Sequence, residues 1–312
     1  MDHIRCNLCG ADDTSVRYPC TVRQGDSDDW RAFRCTHSGY GRHYTIVQCR
    51  RCGLVYADPR PDGQDIVETY QAVEDPLYIE EREGRVLTFE RHLRPLEKLT
   101  GSPSGRPLLD VGCYTGVFVE IAGQHGWDAW GLEPSRWGVE QAQARGLHVV
   151  QGMLETADLP EACFDVVTMW DVIEHLADPR SAVEHIYRLL RPGGVLVAHT
   201  IDIDSLFARV MGARWPWLME MHLYYFSRRT LRAMLEQCGF EVLSDRPQGR
   251  YLRLGYLMNR VGALMPLVGR PAEWLVTKLG LRGVAVSVNT GDLFTIYALK
   301  DVSPPDKDEH PV

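Results

Sequence analysis

The sequence predicts an α/β fold, a doubly wound and mostly parallel sheet of seven strands behind a small cysteine-bearing module. Three observations carry that expectation. From Leu108 onward, short apolar runs alternate with stretches of helical periodicity, the pattern of strands joined by crossover helices. The first run ends in a glycine turn, Leu108-Leu109-Asp110-Val111-Gly112-Cys113-Tyr114-Thr115-Gly116, and an acid, Glu133, stands 21 positions after Gly112 at the tip of the next run. Ahead of both lie two matched knuckles, Cys6-x-x-Cys9-Gly10 and Cys49-x-x-Cys52-Gly53.

The knuckles come first in the chain. Each tight turn points two thiolates at one ion, and four thiolates complete a tetrahedral zinc site with no open position. A small, separate zinc-ribbon module is therefore expected over residues 1–61, with Cys6, Cys9, Cys49 and Cys52 as ligands of a structural zinc. Cys20, Cys35 and His37 lie between the knuckles and offer a variant site, but the symmetric four-cysteine set is simpler.

Residues 62–104 read as a helical linker or lid, because Ile66, Val67 and Tyr70, then Val86, Leu87, Leu93 and Leu96, recur at helical intervals among charges. Tyr70 and Tyr78 on that face read more readily as core than as ligand contacts.

The main domain spans 105–300. Its strands are expected at Pro107–Val111, Asp128–Leu132, His148–Gln151, Phe164–Met169, Gly194–Thr200, Glu241–Pro247 and Leu293–Lys300. Helices fill the gaps at Val117–His125, Trp137–Ala144, Pro179–Leu190 and Arg228–Gln237. A helical insertion at 249–290 is rich in Leu, Met, Tyr and Trp and is punctuated by Arg253, Arg260 and Arg270. It reads as a cap on the sheet edge, a substrate lid or a peripheral membrane-surface patch. Residues 301–312 read as a disordered tail.

Composition narrows the class. With 34 basic and 42 acidic residues the formal net charge is −8, which argues against a general nucleic-acid binder. The N-terminus lacks an apolar signal-peptide core, and the longest apolar candidate, Leu254 to Val268, is broken by Arg260. Nine cysteines, four of them in paired knuckles, suit metal binding in a reducing compartment, so a cytoplasmic protein is expected.

The glycine turn indicates the ligand. It lets a nucleotide-like molecule approach the backbone where a strand stops, and Glu133 is placed to accept hydrogen bonds from two ribose hydroxyls. A dinucleotide fingerprint needs a third glycine for a pyrophosphate, but Phe118 and Val119 stand there, and Tyr114 takes the second glycine position. The turn suits a ligand without a pyrophosphate. S-adenosylmethionine (SAM) offers an amino-acid end for the turn and a ribose for Glu133.

On these residues the chain resembles the class I SAM-dependent methyltransferases, and in particular the ubiquinone-biosynthesis methyltransferases. Phe164 to Leu176 looks like the family's fourth strand and following turn, and Leu189 to Val197 like the turn into the fifth. His222 to Ser227, then Leu231 and Gly239-Phe240, is similar to the approach to the sixth. Leu54 to Pro61 is similar to the exit of an N-terminal zinc ribbon carried by some methyltransferases. The resemblance covers roughly residues 105 to 245; Tyr114 departs from the commonest glycine pattern. It implies a Rossmann-like sheet of order 3-2-1-4-5-7-6 with the last strand antiparallel. For the cofactor, Asp110 is expected to orient the methionine ammonium, Gly112 and Gly116 to admit the backbone close to it, and Glu133 to hold the ribose diol. The backbone around Met153 and Leu154 is expected to border adenine, and Trp170 to flank the methionine end.

The chemistry follows from in-line displacement at a sulfonium. The protein must hold the nucleophile about 3–3.5 Å from the methyl carbon, and a hydroxyl acceptor also needs a base. His222 is the expected base, with Asp171 orienting it or sharing a divalent ion with it. Asp171, Glu174 and His175 fall on one side of a helical turn. The set is similar to the metal-binding residues of small-RNA 2′-O-methyltransferases, so a catalytic divalent metal is the alternative to a metal-free base. The expected acceptor is an oxygen of a small molecule, sugar or lipid-linked glycan. An RNA methyltransferase reading the RNA with its ribbon comes second. A nicotinamide-dependent sugar-modifying enzyme is third, and the missing Tyr-x-x-x-Lys dyad weighs against it.

Overall fold

Thr14–Tyr18 (β1), Ile46–Cys49 (β2) and Val55–Ala57 (β3) form an antiparallel ribbon in the computed structural model, which describes residues 1–22, 30–37 and 39–301. The tail expected at 301–312 lies outside the described residues beyond Asp301. The knuckle module is not separate, contrary to expectation. β3 pairs Val55 with Tyr225 and Tyr56 with Tyr224, so its sheet runs into the main domain. Cys6, Leu8, Val47, Leu54 and Tyr56 share one apolar core with Ile173, Leu223 and Leu231. The reason is physical: a ribbon this small has an open edge and buries too little surface alone.

Three helices follow, α1 (Gly63–Gln71), α2 (Pro76–Glu80) and α3 (Arg82–Thr100), within the expected linker. Asp75 caps α2, whose first turn carries Pro76, by accepting from Tyr78 N. The same carboxylate accepts from Thr36 N at 2.9 Å, which ties the segment between the knuckles to α2.

The main domain then alternates as its periodicity requires: β4 (Pro107–Val111), α4 (Val117–Gln124), β5 (Asp128–Glu133), α5 (Arg136–Gln143), β6 (Val149–Gln151), β7 (Phe164–Trp170), α6 (Pro179–Leu189) and β8 (Leu190–Ile201). After α7 (Leu206–Met211) and the two-residue β9 (Tyr224–Tyr225), α8 (Arg228–Gln237) leads into β10 (Phe240–Pro247). The insertion comprises β11 (Arg250–Arg253), α9 (Leu254–Leu264), α10 (Pro266–Lys278) and β12 (Ala285–Val288), with β11 and β12 antiparallel. β13 (Leu293–Lys300) closes the sheet.

The sheet order is β6-β5-β4-β7-β8-β13-β10, the expected 3-2-1-4-5-7-6, and β13 is antiparallel to both neighbours. One strand begins earlier than expected. Leu190 already pairs with Phe164, and the pairing resumes at Val195 opposite Val166. The intervening Arg191-Pro192-Gly193-Gly194 is therefore an irregularity inside β8, with Gly193 at φ +77°. The carboxyl ends of β4 and β7 lie side by side where the strand order reverses, the place at which open α/β sheets bind ligands.

Candidate active site

The glycine turn after β4 folds as its sequence dictates. Gly112 and Gly116 adopt φ of +68° and +72°. A Cβ on Gly112 would stand 2.6 Å from Val172 Cγ2, so no larger residue fits there. Tyr114, between them, is also left-handed at φ +47°, and its buried ring meets Tyr78 of α2 edge-on at 4.7 Å. α2 thus packs directly on the turn.

Glu133, at the end of β5, is buried beside it. Its Oε2 accepts from Tyr114 N at 2.7 Å and its Oε1 from Ser135 N at 2.8 Å. Burial pushes its carboxyl up to about 7, partly offset by those two amides. Asp110 is buried too, and its Oδ1 accepts from Thr168 Oγ1 at 2.6 Å. Burial raises it to about 8 against that hydrogen bond. Two buried, desolvated carboxyls thus stand at strand tips beside the glycine turn, groups whose chemistry suits a cation and a diol.

Gly152 N donates to Glu133 O at 3.0 Å, which places the turn at Met153 and Leu154 next to Glu133. Met153 O accepts from Ala157 N at 2.9 Å, so that carbonyl is occupied within its own turn, and the Leu154 side chain joins the core. Trp170 ends β7 inside a box of rings. Phe118 lies 5.0 Å, His92 5.2 Å and Phe89 5.8 Å from it, centroid to centroid, and its buried Nε1 has no hydrogen-bond partner. Phe118, which with Val119 stands where a third glycine would be needed, is thus packed in the core against Trp170.

On the other side, the expected pairing of Asp171 with His222 does not form. Asp171 accepts instead from Arg250 Nη2 at 3.1 Å and lies 3.9 Å from His199 Nε2. Burial opposes its charge, but Arg250, then His199 and His175, outweigh burial and hold its carboxyl below the usual range. Asp171 sits at φ +56°, an uncommon left-handed position for a non-glycine residue. The imidazole of His222 is oriented by a backbone carbonyl: its Nδ1 donates to Trp217 O at 2.7 Å. His175 does likewise, donating through Nδ1 to Met221 O at 2.9 Å, and the two rings lie 4.8 Å apart.

With both Nδ1 hydrogens so engaged, each Nε2 keeps its lone pair. Glu174 takes the place expected of Asp171. Its Oε2 is buried without a partner, and one donor atom from each of Glu174, His175 and His222 lies within 4.8 Å of the others. Burial and then the Asp171 charge raise Glu174 to about 8, while burial and the neighbouring His175 lower His222 to about 3.

The four knuckle thiols converge as expected. Cys6 Sγ is 3.4 Å from Cys52 Sγ, Cys9 Sγ is 3.6 Å from Cys49 Sγ, and all four lie within 4.8 Å of one another. Zn–S bonds of about 2.3 Å in a tetrahedron set the sulfurs about 3.8 Å apart, so the donor set fits zinc. Cys20 and Cys35 stand apart from this cluster.

Four residues at the crevice escaped the sequence reading: Arg250, His199, His92 and Trp217. His199 sits near the carboxyl end of β8, where the rule for open sheets looks for ligand contacts, and that signal was available. Arg250 carries no local signal, because its partner lies 79 residues away.

Comparison with known proteins agrees with this geometry. A methyltransferase-domain family model matches residues 78–245, more than half of the chain. The ubiquinone biosynthesis O-methyltransferase of Alkalilimnicola ehrlichii is 33% identical over 125 residues, covering 37% of this chain and 50% of that one. The O-methyltransferase resE of Aspergillus sclerotiorum is 32% identical over 180 residues, covering 54% of this chain and 67% of that one. The chain spans about half the length of the first of these relatives. Among solved structures, a candidate methyltransferase from Bacillus halodurans aligns with a TM-score of 0.50 at 18% identity, over 68% of this chain and 99% of that one, a likeness of fold. With a matching sheet order, glycine turn and strand-tip acid, the chain belongs to the methyltransferase-domain family, among the class I SAM-dependent methyltransferases.

Proposed function

We propose that this chain transfers a methyl group from SAM to an oxygen of a small-molecule, sugar or lipid-linked glycan acceptor. The observation that carries the reading is the pairing of two half-sites across the sheet reversal. Glu133 and the glycine turn lie on one side, and the donors of buried Glu174 and His222 and half-buried His175 lie on the other. The relatives named as O-methyltransferases support oxygen as the target. Bound SAM supplies an electrophilic methyl on a good leaving group. The chain must align the acceptor oxygen with it, exclude water and receive one proton as the O–C bond forms and the S–C bond breaks.

His222 is neutral at working pH because burial depresses its pKa to about 3. Its Nε2 accepts a hydrogen bond from the acceptor hydroxyl. As the oxygen gains the methyl group it becomes strongly acidic, so even this weak base suffices. Asp171 holds Arg250 at the rim of the same crevice. The donor set of Glu174, His175 and His222 favours a second reading, in which these residues would hold a divalent cation whose Lewis acidity would lower the pKa of the acceptor hydroxyl. Cys6, Cys9, Cys49 and Cys52 would hold a zinc with a structural role in either case.

The test is transfer of labelled methyl from SAM to a panel of phenols, sugars, lipid-linked glycans and RNA. With the acceptor in hand, His222→Gln should lower turnover at least about tenfold and leave affinity for S-adenosylhomocysteine unchanged. Unchanged turnover removes His222 from the mechanism. Activity lost on chelation and restored by magnesium favours the cation reading, since magnesium, a hard ion that prefers oxygen ligands, does not refill a four-thiolate site.

A further inference from the structure

The insertion has a charge and a shape unlike the rest of the chain. Residues 249–290 contain five arginines, one lysine and a single acid, Glu273, although the whole chain carries −8. Three of these cations turn inward: Arg250 to Asp171, Arg253 to Glu80 O, and Arg260 to Thr36 O. The other three, Arg270, Lys278 and Arg282, are exposed.

α9 and α10 close tightly on each other, since a Cβ on Gly269 would stand 2.1 Å from Gly262 N. The tip that joins them, Ala263 to Val268, is six apolar residues in a row, all exposed, with Leu267 93% and Val268 58% exposed. Further along α10, Trp274 is 62% exposed, and the Lys278 ammonium lies 4.9 Å from its ring centroid. Exposed apolar side chains of this density, interleaved with cations, oppose water and match an interface that is apolar below and anionic above. Tryptophan beside lysine is the pairing that such an interface accommodates, ring at the headgroup level and ammonium toward phosphate. Among the described residues no helix is long and apolar enough to cross a membrane, so the contact is with a surface.

We propose that the α9–α10 hairpin docks on the surface of a bilayer containing anionic phospholipid, with its 263–268 tip seated at the headgroup boundary. The root of the hairpin reaches the crevice through Arg250, which donates to Asp171. The proposal stands independently of the methyl-transfer reading.

Flotation of the full chain with phosphatidylcholine vesicles, with and without phosphatidylglycerol, tests it. The parent should float with the anionic vesicles, and the double variant Leu267→Glu, Val268→Glu should lose at least about tenfold in partitioning. Added salt should weaken the parent's binding. Trp274→Ser should weaken binding as well, which guards against a fold defect in the double variant. Calorimetry with S-adenosylhomocysteine reports whether each protein keeps its fold and its cofactor site. Equal flotation of parent and double variant, or equal binding to vesicles without phosphatidylglycerol, overturns the proposal. So does a parent dimer in sedimentation that the double variant dissociates, which assigns the ridge to a second copy. If the parent fails to bind S-adenosylhomocysteine but floats, the cofactor reading fails and the docking stands.

Discussion

Replacing Glu133 by alanine is the most direct test of the cofactor side. A carboxylate offers about four lone-pair positions, and two are occupied here, one on each oxygen, by the amides of Tyr114 and Ser135. One position remains on each oxygen, enough for the two hydroxyls of a ribose. A hydrogen bond to a charged acceptor contributes about 1.5–3 kcal/mol, so losing two costs about 3–6 kcal/mol, or about 10²–10⁴ in Kd. Because burial holds the carboxyl near 7, only about half of it is ionised at neutral pH, which trims the effect about twofold there. Calorimetry with S-adenosylhomocysteine at a pH above 7 should show the full loss. Glu133→Gln should fall between, since its amide keeps one acceptor oxygen but sets an NH₂ against a backbone donor. A change below about threefold in Glu133→Ala, or tighter binding of NAD than of S-adenosylhomocysteine by the parent, would refute the reasoning.

Two other outcomes can be checked alongside. Asp110 is raised by burial from its unfolded value near 3.8 to about 8, so its contribution to stability is fully present below about pH 4 and is lost as pH rises toward 8. Binding an ammonium favours its ionised form, so affinity for S-adenosylhomocysteine should rise with pH up to about 8, with proton release at pH 7. Glu133 adds in the same direction near 7. Asp110→Asn should flatten the upper part of that profile, and proton uptake on binding would contradict the assignment. Cys49→Ser should abolish zinc in elemental analysis and loosen the ribbon, for which a structural zinc supplies roughly 10–16 kcal/mol of apparent folding free energy. Because Ala57 N donates to Leu223 O, next to His222, methyl transfer should fall far more than cofactor affinity. Release of the metal by substitution of Cys20 or His37 instead would refute the four-thiolate site.

Much of the cofactor side was legible because its signals are local. A left-handed glycine turn, a strand-tip acid and a Cys-x-x-Cys knuckle are each specified within a few residues, by steric freedom or by the reach of one side chain. The expected Gly112, Gly116, Glu133 and the four cysteines accordingly lie together as groups. The acceptor side was less legible. Spacing along a turn placed Asp171, Glu174 and His175 on one side, but it could not say which acid would meet His222.

The seven-strand alternation, the left-handed glycine turn after β4 and the paired thiols were all legible along the chain, since periodicity and backbone conformation are written residue by residue. It took the packed fold to settle that Arg250 claims Asp171, that Glu174 stands with two imidazoles, and that the ribbon extends its sheet through Tyr224 and Tyr225. Partner choice among buried charges is settled by which groups packing brings together and strips of water. Those differences of a few kcal/mol arise between segments far apart in the chain, and no local pattern records them.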